Sequence, residues 1–208
     1  MAQYFQVHPE NPQRRLLAQA VEMLRGGAVV AYPTDSAYAL GCHLEDKQAL
    51  ERLRRIRRVD ERHNMTLVCR DLAEIATFAK VDNPTYRLLK AHTPGPYTFI
   101  LNATREVPRR MLHPKRRTLG LRIPDHIITR ALLDELGEPL MSTTLILPGE
   151  DMPLTDPWEI RQSLEHEVDL VIDGGHCGFE PTTVVDLTGE APVIVRRGKG
   201  DPAPFEGA

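Results

Sequence analysis

The chain has 208 residues, of which 41% are hydrophobic, and a formal charge of −3 at neutral pH. This length fits one domain, and the weak negative charge excludes a uniformly basic nucleic-acid-binding protein. No apolar run approaches the roughly 20 residues that cross a bilayer, so we expect no membrane association. The three cysteines, Cys42, Cys69 and Cys177, are odd in number and widely spaced. This pattern favours reduced thiols and a cytoplasmic location.

Helix and strand signals alternate along the chain. Asn11-Pro12 is typical of a helix start and Gly26-Gly27 of a helix end. The apolar run 28–32 then predicts a buried strand. Further helices are predicted over 46–57, after Asp71, after Asn83 and over Ile127–Leu136. Further strands are predicted over 65–69, Tyr97–Asn102, 119–123, 140–145, 170–172, 184–187 and Val193–Arg196. This mixture predicts one α/β domain, a twisted mixed β-sheet with flanking helices.

The segment 33–41, which reads PTDSAYALG, follows directly on the predicted strand 28–32. It places two hydroxyls and a carboxylate, those of Thr34, Ser36 and Asp35, at a strand end. Strand ends are where α/β folds bind small ligands. We call residues 33–41 the PTDS segment.

Five further segments follow the PTDS segment in a characteristic order. They read TPGPYTFIL at 93–101, TLGLRIPDH at 118–126, a Pro-Leu strand followed by Gly at 139–149, PTTVVD at 181–186 and VRRG at 195–198. Together they resemble the YrdC/YciO family, the threonylcarbamoyl-AMP synthases and their relatives, and the YciO branch within it. The resemblance implies a single YrdC-like domain over 12–200 with a concave basic cleft, a short N-terminal extension over 1–11 and a loosely held tail over 201–208.

The resemblance also implies a reaction. The family forms threonylcarbamoyl-AMP from threonine, bicarbonate and ATP, an intermediate in tRNA modification. ATP is therefore expected as a substrate, with Mg²⁺ as a candidate companion ion, and a monomer or weak dimer is expected. By motif position, the substrate-binding residues are Thr34, Tyr38, Arg122 and Thr182, and the nucleotide-binding residues are Arg57, Thr118, Ser142, Thr144 and Arg196. Such a reaction chiefly needs positioning and charge stabilisation, so no catalytic nucleophile or base is predicted.

Two positions depart from the synthase pattern. The synthases carry Lys-x-Arg where this chain has Arg55-Ile56-Arg57, and Arg57 is the candidate substitute for the lysine. The synthases carry Ser-x-Asn where this chain has Thr144-Leu145-Ile146. Ile146 has neither the donor nor the acceptor of an amide. These departures favour a second hypothesis, a tRNA- or double-stranded-RNA-binding protein with little catalysis. A third is carbamoyl transfer to another acceptor.

Arginines cluster at the end of the second predicted helix and before the strand at 119–123. We call the following five the arginine rim and expect them to bind RNA phosphates: Arg54, Arg55, Arg58, Arg116 and Arg117. The alternative is an ordinary solvated helix face, with Glu45, Glu51 and Glu61 as partners.

The sequence signals for metal ligands are weak. Cys42-His43 and His176-Cys177 lack the spacing of a zinc site, and no metal site is predicted there. Asp173 and Asp186 each end a predicted strand, where a carboxylate either contacts magnesium or caps a turn.

Overall fold

A computed structural model describes residues 1–60, 62–63, 65–109, 112 and 115–206. The helices are α1 (Arg14–Arg25), α2 (Lys47–Arg57), α3 (Leu72–Phe78), α4 (Asn83–His92), α5 (Ile127–Leu136) and α6 (Pro157–Leu164). The strands are β1 (Gln3–Gln6), β2 (Val30–Tyr32), β3 (Ala39–His43), β4 (Thr66–Val68), β5 (Tyr97–Asn102), β6 (Thr118–Arg122), β7 (Leu140–Thr144), β8 (Leu170–Asp173), β9 (Thr183–Asp186) and β10 (Val193–Arg196). A 3-10 turn over Ala203–Phe205 follows β10.

Within the described residues the ten strands form one sheet, in the order β1-β8-β2-β3-β7-β4-β6-β5-β9-β10. Neighbours are parallel in the pairs β1–β8, β8–β2, β4–β6 and β5–β9, and antiparallel in the others. The predicted α/β fold with a mixed sheet and flanking helices is confirmed.

Aspartates fix the starts of four helices. The carboxylates of Asp46, Asp71, Asp82 and Asp156 each accept a hydrogen bond from a backbone N–H of the first turn, at 2.8–2.9 Å. Each bond satisfies a donor that the helix itself leaves unpaired. The predicted cap at Asn11 is wrong, because α1 begins at Arg14 after Gln13.

The sheet has apolar layers on both faces. In α1 the buried side chains recur at helical spacing, at Leu17, Ala20, Val21 and Leu24. They pack with α5 and with Val30 and Tyr32 of β2, among others. Ala31 belongs to the larger cluster on the opposite face. Successive strand residues point to opposite faces, so β2 is buried on both sides.

Residues near both ends of the described part of the chain are tied to this core. The segment predicted as an N-terminal extension contains β1, which pairs in parallel with β8. The expectation of a loosely held tail is wrong at Phe205, whose exposed fraction is 2%. Its ring contacts those of His92, Tyr97 and Phe99, with centroids 4.8–5.9 Å apart. One aromatic residue anchors a stretch that its Gly, Pro and Asp content predicts to be loose.

None of the helices in the described part of the chain is long and apolar enough to cross a bilayer. The three cysteines are unpaired, and Cys42 and Cys69 are buried.

Candidate functional site

A cavity of about 510 Å³ lies over the central strands of the sheet. Pairs of alternate residues from β5, β6 and β7 line it, because alternate strand residues point to the same face. These are Thr98 and Ile100, Gly120 and Arg122, and Ser142 and Thr144. The period of two therefore places hydroxyls, an arginine and a glycine on one floor.

Gly120 keeps the centre of that floor open. A Cβ at this position would lie 3.0 Å from Cγ2 of Thr98 and 3.1 Å from Oγ1 of Thr66. These distances are tighter than ordinary van der Waals contacts, so a larger residue would displace its neighbours and fill the cavity floor.

Four arginines line the cavity, namely Arg57, Arg62, Arg122 and Arg196. Among the described lining residues there is no aspartate or glutamate. Burial lowers the pKa of Arg57, and burial together with the neighbouring Arg122 lowers that of Arg196. Arginine nevertheless stays protonated in proteins, so the cavity concentrates positive charge, although Arg62 and Arg196 are exposed to solvent. Such a cavity is suited to an anion.

The PTDS segment folds into a turn around Thr34. Its Oγ1 donates to the carbonyl of Ala37 at 2.6 Å and accepts from the N–H groups of Ser36 and Ala37 at 3.2 Å. Thr34 is buried behind the lining and positions Ser36, which does line the cavity. Its predicted contact with a substrate stays a prediction.

Arg122 forms a buried ion pair with Asp35 of the PTDS segment. Its Nη1 also donates to Oγ of Ser36 at 3.3 Å. The other carboxylate oxygen of Asp35 accepts from the N–H of Asp125 at 2.9 Å. The motif therefore fixes the arginine of the later TLGLRIPDH segment in the wall of the cavity.

Arg196 and Thr182 are joined in a similar way. Nε and Nη2 of Arg196 donate to the carbonyl oxygen of Thr182 at 3.1 and 2.8 Å. The Thr182 hydroxyl is 2.8 Å from that of Thr98. These bonds join β5, Thr182 just before β9, and β10 in the wall of the cavity.

The comparisons with known proteins bear on this geometry. The sequence model Sua5_yciO_yrdC, described as "Telomere recombination", matches residues 22–198. The chain belongs to the Sua5/YciO/YrdC family. The resemblance to this family that the motifs predict is confirmed.

Within the Sua5/YciO/YrdC family, the chain is similar to "Uncharacterized protein YciO" of Escherichia coli K12, with 57% identity over 205 residues, 99% of this chain and 100% of that one. The crystal structure of E. coli YciO matches with a TM-score of 0.96 and 56% identity, again over 99% and 100% of the two chains. The chain is also 33% identical to the threonylcarbamoyl-AMP synthase of Mus musculus, over 88% of this chain and 68% of that one. P. abyssi Sua5 complexed with L-threonine matches with a TM-score of 0.86 and 25% identity, over 94% of this chain and 57% of that one.

The structure brings most of the residues predicted from the Sua5/YciO/YrdC motifs to one place. Seven of them line the cavity: Tyr38, Arg57, Arg122, Ser142, Thr144, Thr182 and Arg196. Thr34 and Thr118 are buried and are not among the lining residues. Ile146, where the synthases have asparagine, is on the wall, so this substitution falls inside the cavity.

Two of these residues also hold the scaffold. The Tyr38 hydroxyl donates to the carbonyl of Gly175 at 2.8 Å, and burial raises the pKa of this phenol. The Ser142 hydroxyl donates to the carbonyl of Leu40 at 3.0 Å and lies 2.6 Å from the hydroxyl of Tyr32. Both side chains therefore keep the neighbouring wall rigid.

Sequence reasoning missed several lining residues as site residues. They are Arg62, His63, Thr66, Thr98 and Thr143. Thr66 and Thr98 carry a weak signal, a hydroxyl on a short strand whose neighbouring residues are apolar. His63 carries none, because the residues around it lack a regular period.

The arginine rim is only partly as predicted. Arg54 is 6% exposed, and its Nη1 donates to Glu51 at 2.8 Å, so its expected place on an exposed rim is wrong. The other four rim arginines are exposed. Arg55 and Arg58 precede β4, and Arg116 and Arg117 precede β6. Because β4 and β6 are parallel, with Thr66 opposite Gly120, these two pairs of arginines lie towards the same end of the sheet. Arg55 and Arg58 share a groove with the carboxylate residues Glu51 and Asp60. Glu61, a further expected partner, lies outside the described residues.

The described residues contain no group of three histidine, cysteine, aspartate or glutamate side chains placed to hold a metal ion. Asp173 accepts from the N–H of Gly175 and from the hydroxyl of Tyr4, both at 2.8 Å. Asp186 accepts from the N–H and the hydroxyl of Thr188 at 2.8 and 2.6 Å. Both carboxylates thus have turn-capping contacts.

Proposed function

We propose that the cavity binds ATP and threonine, and that the protein is a nucleotidyltransferase of the threonylcarbamoyl-AMP synthase type, linked to tRNA modification. The observation that carries this proposal is the set of four arginines and several hydroxyls in a cavity whose described lining has no carboxylate. The synthase relatives and the threonine complex of P. abyssi Sua5 support the choice of substrates.

The proposed reaction needs little from the protein beyond placement. The threonine amine and bicarbonate give a carbamate and water. A carbamate oxygen then attacks the α-phosphate of ATP, the bond to the β-phosphate breaks, and pyrophosphate leaves. Fixed hydrogen-bond donors act on the charge of such a transition state without reorganising.

Different lining residues suit the two substrates. Arg122, positioned by Asp35, and Ser36 fit the threonine carboxylate, since arginine binds carboxylates through two parallel hydrogen bonds. Arg57, Arg62 and Arg196 fit the phosphates. The described lining offers no carboxylate, so Mg²⁺ would be held by the phosphates of the nucleotide.

RNA binding with little catalysis is the second candidate. Ile146 on the cavity wall supports it, because an apolar residue there removes one polar contact that the synthases have. The four exposed rim arginines support it further. The carboxylates of Glu51 and Asp60 near Arg55 and Arg58 weaken it, because they reduce the local positive potential.

A cytoplasmic location and a monomeric or weakly dimeric state belong to the same proposal. The unpaired cysteines support the location. Gel filtration over a range of protein concentrations tests the oligomeric state.

Arg57 and Arg55 offer a matched test of ATP binding. Both lie near the end of α2, but Arg57 lines the cavity and Arg55 is exposed outside it. Calorimetry should show that Arg57→Met weakens ATP binding tenfold or more, because a hydrogen bond to a charged group contributes roughly 1.5–3 kcal/mol. Arg55→Met should leave the affinity unchanged. Equal effects of the two changes would contradict the assignment of the cavity.

A further inference from the structure

His63 is a cavity residue outside the motifs described above. Its ring lines the cavity, and Nε2 lies 3.1 Å from Oγ1 of Thr143 on β7. Two hydrogen bonds to Asp60 hold the backbone at Arg62 and His63. The N–H of His63 donates to the Asp60 carbonyl at 3.1 Å, and the N–H of Arg62 donates to the Asp60 carboxylate at 2.9 Å. The ring is therefore held against the wall of the cavity.

The surroundings of the ring are mostly positive. Burial is the largest cause that lowers the pKa of His63, and Arg57, Arg196 and Arg54 lower it further. Asp60 acts in the opposite direction. Among the described residues, the charged groups that face the ring thus come from α2, β10 and its own loop, while β7 contributes the neutral hydroxyl of Thr143.

We propose that His63 is an anion ligand of the cavity and takes up a proton when a polyphosphate binds there. In the free protein the nearby arginines disfavour protonation of His63. A bound polyphosphate offsets their positive charge, so protonation of the ring becomes more favourable. The protonated ring donates from both nitrogens, so Nε2–H donates to Thr143 and Nδ1–H is left for a phosphate oxygen. The inference rests on the proposed function only in that the cavity binds a polyphosphate, and it requires no catalysis.

The sign of the pH dependence follows from linkage. Binding raises the pKa of His63, so the complex holds more protons than the free protein in the interval between the two pKa values. Affinity for the anion therefore falls as pH rises through that interval, by at most tenfold per pH unit for one proton. Below the pKa of the free protein, His63 contributes no pH dependence.

The test uses the full chain and inorganic tripolyphosphate. Calorimetry at one pH in two buffers of different ionisation enthalpy gives the number of protons taken up. His63→Gln should lower this number by up to about one relative to the unaltered protein. His176→Gln is the control, because the side chain of His176 is 74% exposed and lies outside the cavity lining. Protonation of tripolyphosphate itself is common to all three proteins and cancels in the comparison.

A second measurement does not depend on the variant folding well. In NMR titrations of the unaltered protein, one histidine ring should show a higher pKa with saturating tripolyphosphate than without it. If tripolyphosphate binds with the same proton uptake in His63→Gln as in the unaltered protein, the inference about His63 is overturned while the proposed function stands. If tripolyphosphate and ATP both fail to bind, the inference and the proposed function are overturned together.

Discussion

The carboxylate of Asp35 and the guanidinium of Arg122 form a buried ion pair between residues 87 positions apart in the sequence. This contact joins the PTDS segment to the end of β6 and fixes Arg122 in the wall of the cavity. The pair thereby connects two motifs that sequence comparison treats as separate.

Removing Asp35 should destabilise the fold strongly. Asp35→Ala leaves the Arg122 charge buried without its partner, and breaking a buried pair in this way costs about 3–5 kcal/mol. Urea unfolding measures the loss. The exposed pair of Arg14 and Glu135 is the control, where Glu135→Ala should cost less than about 1 kcal/mol. Similar losses for the two changes would show that the Asp35 pair has no special structural role.

Ile146→Asn should strengthen ATP binding. The change restores an amide on the cavity wall, and one hydrogen bond to a phosphate contributes roughly 1.5–3 kcal/mol, a tenfold to hundredfold gain in affinity. Ile146→Leu keeps the volume without polar atoms and should have no effect. If the asparagine variant binds ATP no better than the leucine variant, the limiting departure lies instead at Arg57.

RNA binding should depend on the exposed rim arginines and on salt. Arg58→Glu combined with Arg116→Glu should weaken tRNA or duplex RNA binding strongly in a gel shift, while ATP binding stays nearly intact. Arg15→Glu combined with Arg87→Glu changes the net charge equally at exposed positions on α1 and α4. If RNA affinity is unchanged by the Arg58→Glu and Arg116→Glu changes, or does not vary from low to physiological salt, the arginine rim is a solvated surface that does not bind RNA.

Phe205→Ala should show that the tail is part of the core. Truncating a buried phenylalanine costs about 3–5 kcal/mol, because the transfer energy is lost and a cavity remains among the rings of His92, Tyr97 and Phe99. Glu206→Gln removes only the exposed pair with Arg197 and should cost less than about 1 kcal/mol. If the tail is loosely held, the Phe205→Ala and Glu206→Gln variants would have equal stabilities in thermal or urea unfolding.

The thiols should react slowly at pH 8. Burial raises the pKa of Cys42 to about 12 and that of Cys177 to about 11, and it raises that of Cys69 well above its ordinary value. For a pKa near 11, about 0.1% of the thiol is ionised at pH 8, and only the thiolate reacts. Kinetics with a thiol reagent test this expectation. A rate equal to that of an exposed cysteine peptide would contradict it.

The sequence predicts the regular parts of this fold well, because they depend on local signals. Asp46 and Asp71 begin helices where capping chemistry places them, and the strand before the PTDS segment is a continuous apolar run. The strand β1 and the contact of Phe205 were missed, because both depend on partners more than a hundred residues away. No local pattern reveals such pairings.

The same distinction between local signals and long-range contacts applies to the residues of the candidate site. Arg122, Thr182 and Arg196 were found because each belongs to a motif, and the structure brings them to one cavity. Arg54 was misplaced, because helical periodicity does not distinguish an exposed arginine from one buried against Glu51. His63 was missed, because its place beside Thr143 is set by the meeting of a loop and β7.

Pyrophosphate release by the purified protein with ATP, threonine and bicarbonate tests the central claim most directly. We expect release that requires all three substrates, is accompanied by threonylcarbamoyl-AMP in mass spectrometry, and increases in the Ile146→Asn variant. Pyrophosphate release that is absent from both proteins, or that is independent of threonine and bicarbonate, would contradict it.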